Sequence, residues 1–117
     1  MKDKLIFVAN DKKNMIHLLE FILLSKGGYE IRSFSSKKEL IKNMREHPDL
    51  VVMGESLAAK NTIDMIKQKA KEMPVIVLTE TENAAKKAHW SNKDCKCIEQ
   101  ADFFIDDLME TVEDVLK

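Results

Sequence analysis

Apolar residues gather in five short runs, Leu5 to Ala9, Tyr29 to Phe34, Leu50 to Met53, Val75 to Leu78 and Cys95 to Ile98. Longer stretches with helical spacing of apolar positions separate them, so the pattern is strand alternating with helix. After the first run, Met15, Leu18, Leu19, Ile22 and Leu23 repeat along one helix face, and Gly27-Gly28 supplies the left-handed exit that ends a helix. This predicts a first helix of about four turns. Ser36 and Glu39 have the form of a capping box ahead of Leu40, Ile41 and Met44, and His47-Pro48 closes that short second helix. Ile63, Ile66 and Ala70 mark a third helix ended by Met73-Pro74, while Ile105, Leu108, Met109, Val112, Val115 and Leu116 give a strongly amphipathic last one. A fourth helix, over residues 82 to 92, offers Ala84, Ala85 and Ala88 but no large aliphatic stripe, so it is expected to pack with little apolar burial and to be pliable.

Runs as apolar as Leu50-Val51-Val52-Met53 and Val75-Ile76-Val77-Leu78 suit strands buried on both faces, as in a parallel sheet layered between helices. The fold class is therefore α/β, doubly wound. In such sheets ligands meet the protein beyond the carboxyl ends of the strands, which directs attention to Asn10-Asp11, Gly54-Glu55 and Thr79-Glu80.

Composition narrows the function classes. A chain of 117 residues, 44% hydrophobic, forms one domain (1–117) with enough apolar content for a single core. Lys and Arg total 19 against 20 for Asp and Glu, so no net basic field exists to hold a nucleic acid directly. No apolar run approaches the roughly 20 residues of a bilayer span, and Met1-Lys2-Asp3-Lys4 leads into a strand-like run, so a cytoplasmic protein without a membrane partner is expected. The two cysteines, Cys95 and Cys97, are too few and too close for a secreted disulfide framework. There is no Gly-rich phosphate loop, no Ser-His-Asp spacing and no HExxH helix, so no enzymatic activity is expected.

Three stretches carry a family resemblance over nearly the whole chain. Pro48-Asp49-Leu50-Val51-Val52-Met53 and Pro74-Val75-Ile76-Val77-Leu78-Thr79 resemble the third and fourth strands of the receiver domains of two-component response regulators, the family of the chemotaxis regulator. Phe7-Val8-Ala9-Asn10-Asp11 is similar to the end of that family's first strand, where two acidic residues stand side by side. The resemblance implies a five-stranded flavodoxin-like sheet in the order 2-1-3-4-5. It also implies a site in which one Asp is the phosphoryl nucleophile, an acidic pair holds Mg²⁺, a Thr or Ser supplies a hydroxyl, and a Lys neutralises phosphoryl oxygens.

Carried over residue by residue, most of that set is missing. The acceptor seat falls on Gly54, the first acid of the pair on Asn10 with only Asp11 retained, and the Lys-Pro after the fifth strand on Ala101-Asp102, with Gln100 one residue away. The switch pair becomes Thr79 and Ile98, and the Pro after the acceptor becomes Ala58. The expectation is a degenerate pocket of Asn10, Asp11, Gly54, Glu55, Thr79 and Ala101, with no cofactor and no bound metal.

Several residues admit two readings. A local bulge would bring the Glu55 carboxylate to the vacant seat as a permanent charge, whereas regular strand alternation turns it away into solvent, the preferred reading. Asp11 and Thr79 read most simply as a helix N-cap and a strand-end hydrogen bonder. Cys95 and Cys97 share one strand face and permit metal or redox chemistry, but two thiols without a convincing third ligand read better as buried small hydrophobes, and His89 needs no ligand role. Trp90 and Phe104 fall off their helical stripes, which marks them either as partner anchors or as side chains folded over a neighbouring helix. The resulting expectation is a phosphorylation-independent receiver that binds a protein partner, or a second copy of itself, through the fourth helix, fifth strand and last helix. Its rivals are a receiver phosphorylated in an alternate register and a small-molecule or metal-binding flavodoxin-like domain.

Overall fold

The computed structural model describes residues 4–58, 60–79, 96–99 and 104–116. Five parallel strands, β1 (Leu5–Ala9), β2 (Glu30–Phe34), β3 (Leu50–Gly54), β4 (Val75–Thr79) and β5 (Lys96–Glu99), form one sheet in the order β2-β1-β3-β4-β5. The helices, labelled over the described residues, are α1 (Lys13–Ile22), α2 (Lys37–Lys42), α3 (Lys60–Lys69) and α4 (Phe104–Val115). The expected 82–92 helix lies outside the described residues.

Alternation along the central strands builds a core on each face of the sheet. Ile6 and Val8, Leu50 and Val52, and Ile76 and Leu78 point to one side, where Leu19, Ile22 and Leu23 of the first helical segment and Leu108, Met109 and Val112 of α4 cover them. Phe7 and Ala9, Val51 and Met53, and Val75 and Val77 point to the other, beneath Leu40 of α2 and Ile63 and Ile66 of α3. There Phe7 meets Phe34 edge to face, with ring centroids 4.9 Å apart. Truncating a side chain as enclosed as Leu50 costs about 2 to 5 kcal/mol in such cores.

Local signals account for the element ends. The Ser36 hydroxyl accepts from the Glu39 amide at 3.2 Å, capping α2 as its sequence predicts. The first helical segment continues past Ile22 as a π-helical turn, Leu23–Gly27, and stops where Gly28 takes φ +65°. Tyr29, expected to open the second strand, belongs instead to this exit: its amide donates to the Leu23 carbonyl at 3.4 Å, and its ring packs on the core beside α4. Cys97 corrects a second expectation. It is exposed, because β5 is an edge strand and Ile98, not Cys97, turns into the core under α4; Cys95 lies outside the described residues.

Asp49 ties the lower end of the sheet together. Its carboxylate accepts from the Leu5 amide at 2.8 Å, while its own amide donates to the Leu5 carbonyl at 2.7 Å. Asp49→Ala should remove the charge-assisted bond and lower stability by about 1 to 3 kcal/mol, seen as a thermal midpoint several degrees lower. Tyr29 gives a second expectation. Burial, and then the nearby Glu113 carboxylate, push its phenol above the ordinary value of 10.0. The fold thus favours the neutral phenol, so this contribution is whole below that value and is lost as pH rises through the folded one. As Tyr29 is the single tyrosine, a phenolate absorbance titration should show a midpoint above 10.0 that Glu113→Gln lowers only in part.

Candidate functional site

Parallel pairing of β1 with β3 sets Ala9 opposite Met53, so the next residues, Asn10 and Gly54, come side by side where both strands end. Here the chain leaves the sheet in two turns. Asn10 donates its amide to the Phe34 carbonyl of β2 at 3.1 Å, and its side-chain Oδ1 accepts from the Lys12 amide at 3.0 Å, an Asx turn that launches α1. On the β3 side, the Glu55 amide donates to the Leu78 carbonyl at 3.0 Å, and Leu57 and Ala58 then close a turn onto Gly54 and Glu55.

Between these turns lies a recess of about 20 Å³, walled by Asn10, Asp11, Lys12, Gly54, Glu55 and Ser56, with Met15 and Leu78 at its margins. That is room for about one water molecule. The sequence-based pocket is brought together in part: Asn10, Asp11, Gly54 and Glu55 all line the recess. Three expectations change. Asp11 is not the helix N-cap, because Lys12 occupies that position and the Asn10 side chain satisfies its amide. Glu55 is half-buried on the wall instead of standing in solvent, since the turn over residues 55 to 57 replaces regular strand alternation. Leu78, not Thr79, is the β4 residue that reaches the recess.

Thr79 is fully buried, and its hydroxyl donates to the Ile98 carbonyl across the β4–β5 pair at 3.5 Å, a long and weak bond. Thr79 and Ile98, the positions where the resemblance puts the family's switch pair, are therefore in direct contact, with the Ile98 side chain held in the core under α4. Ala58 is also buried, in the opposite core. Ala101, Trp90 and His89 lie outside the described residues.

Two features were not anticipated. Lys12 also lines the recess, and nothing in the motif carried over flags that position. Phe21 and Leu24 are 71% and 53% exposed, on the face of the first helical segment opposite its core stripe. Phe21 sits outside the Met15-Leu18-Leu19-Ile22-Leu23 set, a signal present in the helical periodicity. Between α1 and α2 a wider groove of about 350 Å³ passes over Ile16 and Phe34, beside Lys13, His17 and Glu39. Among the described residues, no three His, Cys, Asp or Glu side chains converge to hold a metal ion, and no helix is long and apolar enough to cross a membrane.

A doubly wound parallel sheet with its recess at the carboxyl ends of β1 and β3 defines the class of protein. The family follows from comparison: residues 6–111 match the model of the response regulator receiver domain, and the chain belongs to that family. Solved structures share the fold. A putative response regulator from Chloroflexus aurantiacus J-10-fl is 21% identical, with a TM-score of 0.80 over 98% of this chain and 98% of that one. A response regulator receiver protein from Sinorhizobium medicae WSM419 is 16% identical, with a TM-score of 0.79 over 98% and 95% of the two chains. The signal receiver domain of an HD domain-containing protein from Pseudomonas fluorescens Pf-5 is 15% identical, with a TM-score of 0.81 over 99% and 88%.

Phe104, one of the expected partner anchors, is half-buried and packs against the core that α4 covers. Of its two readings, folding over its neighbours is the one its position favours. Phe104→Ala should therefore cost about 1 to 3 kcal/mol and lower the thermal midpoint. An unchanged midpoint would return Phe104 to the surface.

Proposed function

We propose that this receiver signals without phosphoryl transfer, as a non-enzymatic protein-interaction module of two-component signal transduction. The observation that carries the reading is Gly54 at the carboxyl end of β3, in the seat where the family resemblance puts the acceptor carboxylate. A glycine offers no oxygen to phosphorylate. Asn10 in place of an acid further removes one formal charge from the group that would hold Mg²⁺. A partner would then read the domain through β5, α4 and the segment preceding β5. On α4 the exposed residues Asp106, Asp107, Glu110, Glu113 and Asp114 are all acidic, which disfavours a nucleic acid there and supports a protein partner or a second copy.

Incubation with Mg²⁺ and acetyl phosphate, followed by intact mass measurement, tests this. The mass should not change, and neither Mg²⁺ nor beryllofluoride should move the amide signals of Asp11, Gly54 and Thr79. Gly54→Asp alone should remain inefficiently labelled, because Asn10 still replaces an acid. A phosphoryl adduct on the native chain, on Asp11 or Glu55 for instance, would overturn the proposal.

Glu55 on the recess wall supports one variant of this reading, in which its carboxylate imitates a bound phosphoryl group and holds the receiver in an active-like state. Glu55→Gln would then shift amide signals at Thr79 and Ile98. Confinement of the shifts to residues 54 to 58 would leave Glu55 a local turn residue.

A further inference from the structure

A Cβ built on Gly54 would lie 2.7 Å from Asn10 Nδ2, 3.1 Å from its Cγ and 3.4 Å from its Oδ1. No unstrained carbon makes a contact as short as the first of these. To yield, the neighbour must give up a hydrogen bond. Asn10 is only 4% exposed, and its Oδ1 holds the Lys12 amide at 3.0 Å, which orients the carboxamide with Nδ2 toward Gly54. Gly54 does not have a positive φ, so its backbone would accept alanine, and the carboxamide opposes one.

We propose that Asn10 and Gly54 are an interlocked pair: the Asn10 carboxamide fills the space of a side chain at residue 54, closing the recess from within and fastening the turn before α1 to the end of β3. Two apparent losses from the family pattern are on this view one structural unit. With the Asn10 carboxamide in this orientation, residue 54 has no room for a Cβ. The remaining space is that of about one water, so the recess admits no phosphoryl group while the pair is intact. Asn10 acts here as a positioning residue, through the two turns it joins. This deepens the proposed phosphorylation-independent function and concerns the same recess, but it rests on steric contact, and stability is its readout.

The test is a double-mutant cycle on the full chain, with Gly54→Ala, Asn10→Ala and the double variant compared by thermal and denaturant unfolding. Gly54→Ala should lower the midpoint by several degrees in the native background. In the Asn10→Ala background it should leave the midpoint unchanged or raise it, because alanine without the clash only restricts the unfolded chain. An equal effect of Gly54→Ala in both backgrounds would overturn the pairing. Should Gly54→Ala not fold, recovery of a folded double variant supports the proposal and failure to recover overturns it. Independently of any variant, the native chain should show a nuclear Overhauser contact between the Asn10 Nδ2 protons and the Gly54 α-protons, whose absence would equally overturn it. A phosphoryl adduct would sink the phosphorylation-independent reading, while additivity would sink the pair; neither result implies the other.

Discussion

Strands β1, β3 and β4 must bury both faces at once, and this constraint governs the rest of the molecule. A slip of one residue in any of them would exchange the two cores, sending Phe7 toward α1 and α4 and Ile6 and Val8 toward α2 and α3. The packing of Phe7 on Phe34 and of Leu19 and Leu108 on the opposite face would be lost together. Register is thus held by the whole core. Asp49 adds a local lock by exchanging two bonds with Leu5 at the start of the strands. Once Ala9 lies opposite Met53, the positions of Asn10 and Gly54 follow with no further choice. The recess is a consequence of core packing, assembled at the ends of strands whose apolar residues decide where it falls.

Much of this fold was legible because its signals are periodic and local. Leu50 to Met53 and Val75 to Leu78 read as strands buried on both sides, and Ile63 and Ile66 proved to be core residues of α3. Ser36 caps α2 and Gly28 ends the first helical segment, each through chemistry confined to a few neighbours. What escaped the sequence depended on a third dimension. The exposure of Cys97 follows from β5 standing at the sheet edge, where strand alternation alone does not say which face is covered. The π-helical turn that widens the end of the first helix, and draws Tyr29 into the helix exit, leaves no composition signature.

The site divides along the same line. That ligands meet such sheets beyond the strand ends was sufficient to select Asn10, Asp11, Gly54 and Glu55. Which of two adjacent polar residues caps the helix was not readable, because an Asx turn at Asn10 and an N-cap at Asp11 differ only in backbone path. Likewise Leu78 and Thr79 are neighbours in sequence but opposite in strand parity, so one reaches the recess while the other reaches Ile98. The contact between Asn10 and the space above Gly54 joins residues far apart in the chain. Neither departure from the family pattern announces the other.

Charge explains why a carboxamide suits position 10 once residue 54 is glycine. Asp11 and Glu55 both line the recess, and an aspartate at residue 10 would add a third acidic residue around a space of about 20 Å³. Like charges that close repel, and a carboxylate facing them must be offset by a cation or take up a proton. Lys12 also lines the recess, but it carries a single positive charge. The neutral Asn10 side chain avoids the conflict while keeping the acceptor oxygen that the Lys12 amide uses. It also turns a donor, Nδ2, toward Gly54, where an aspartate would turn a second acceptor oxygen. A pocket organised around a phosphoryl group and a divalent ion needs concentrated negative charge, whereas a recess that is closed by its own side chain is best served by a neutral group. On the proposed phosphorylation-independent reading, Asn10 meets the second requirement.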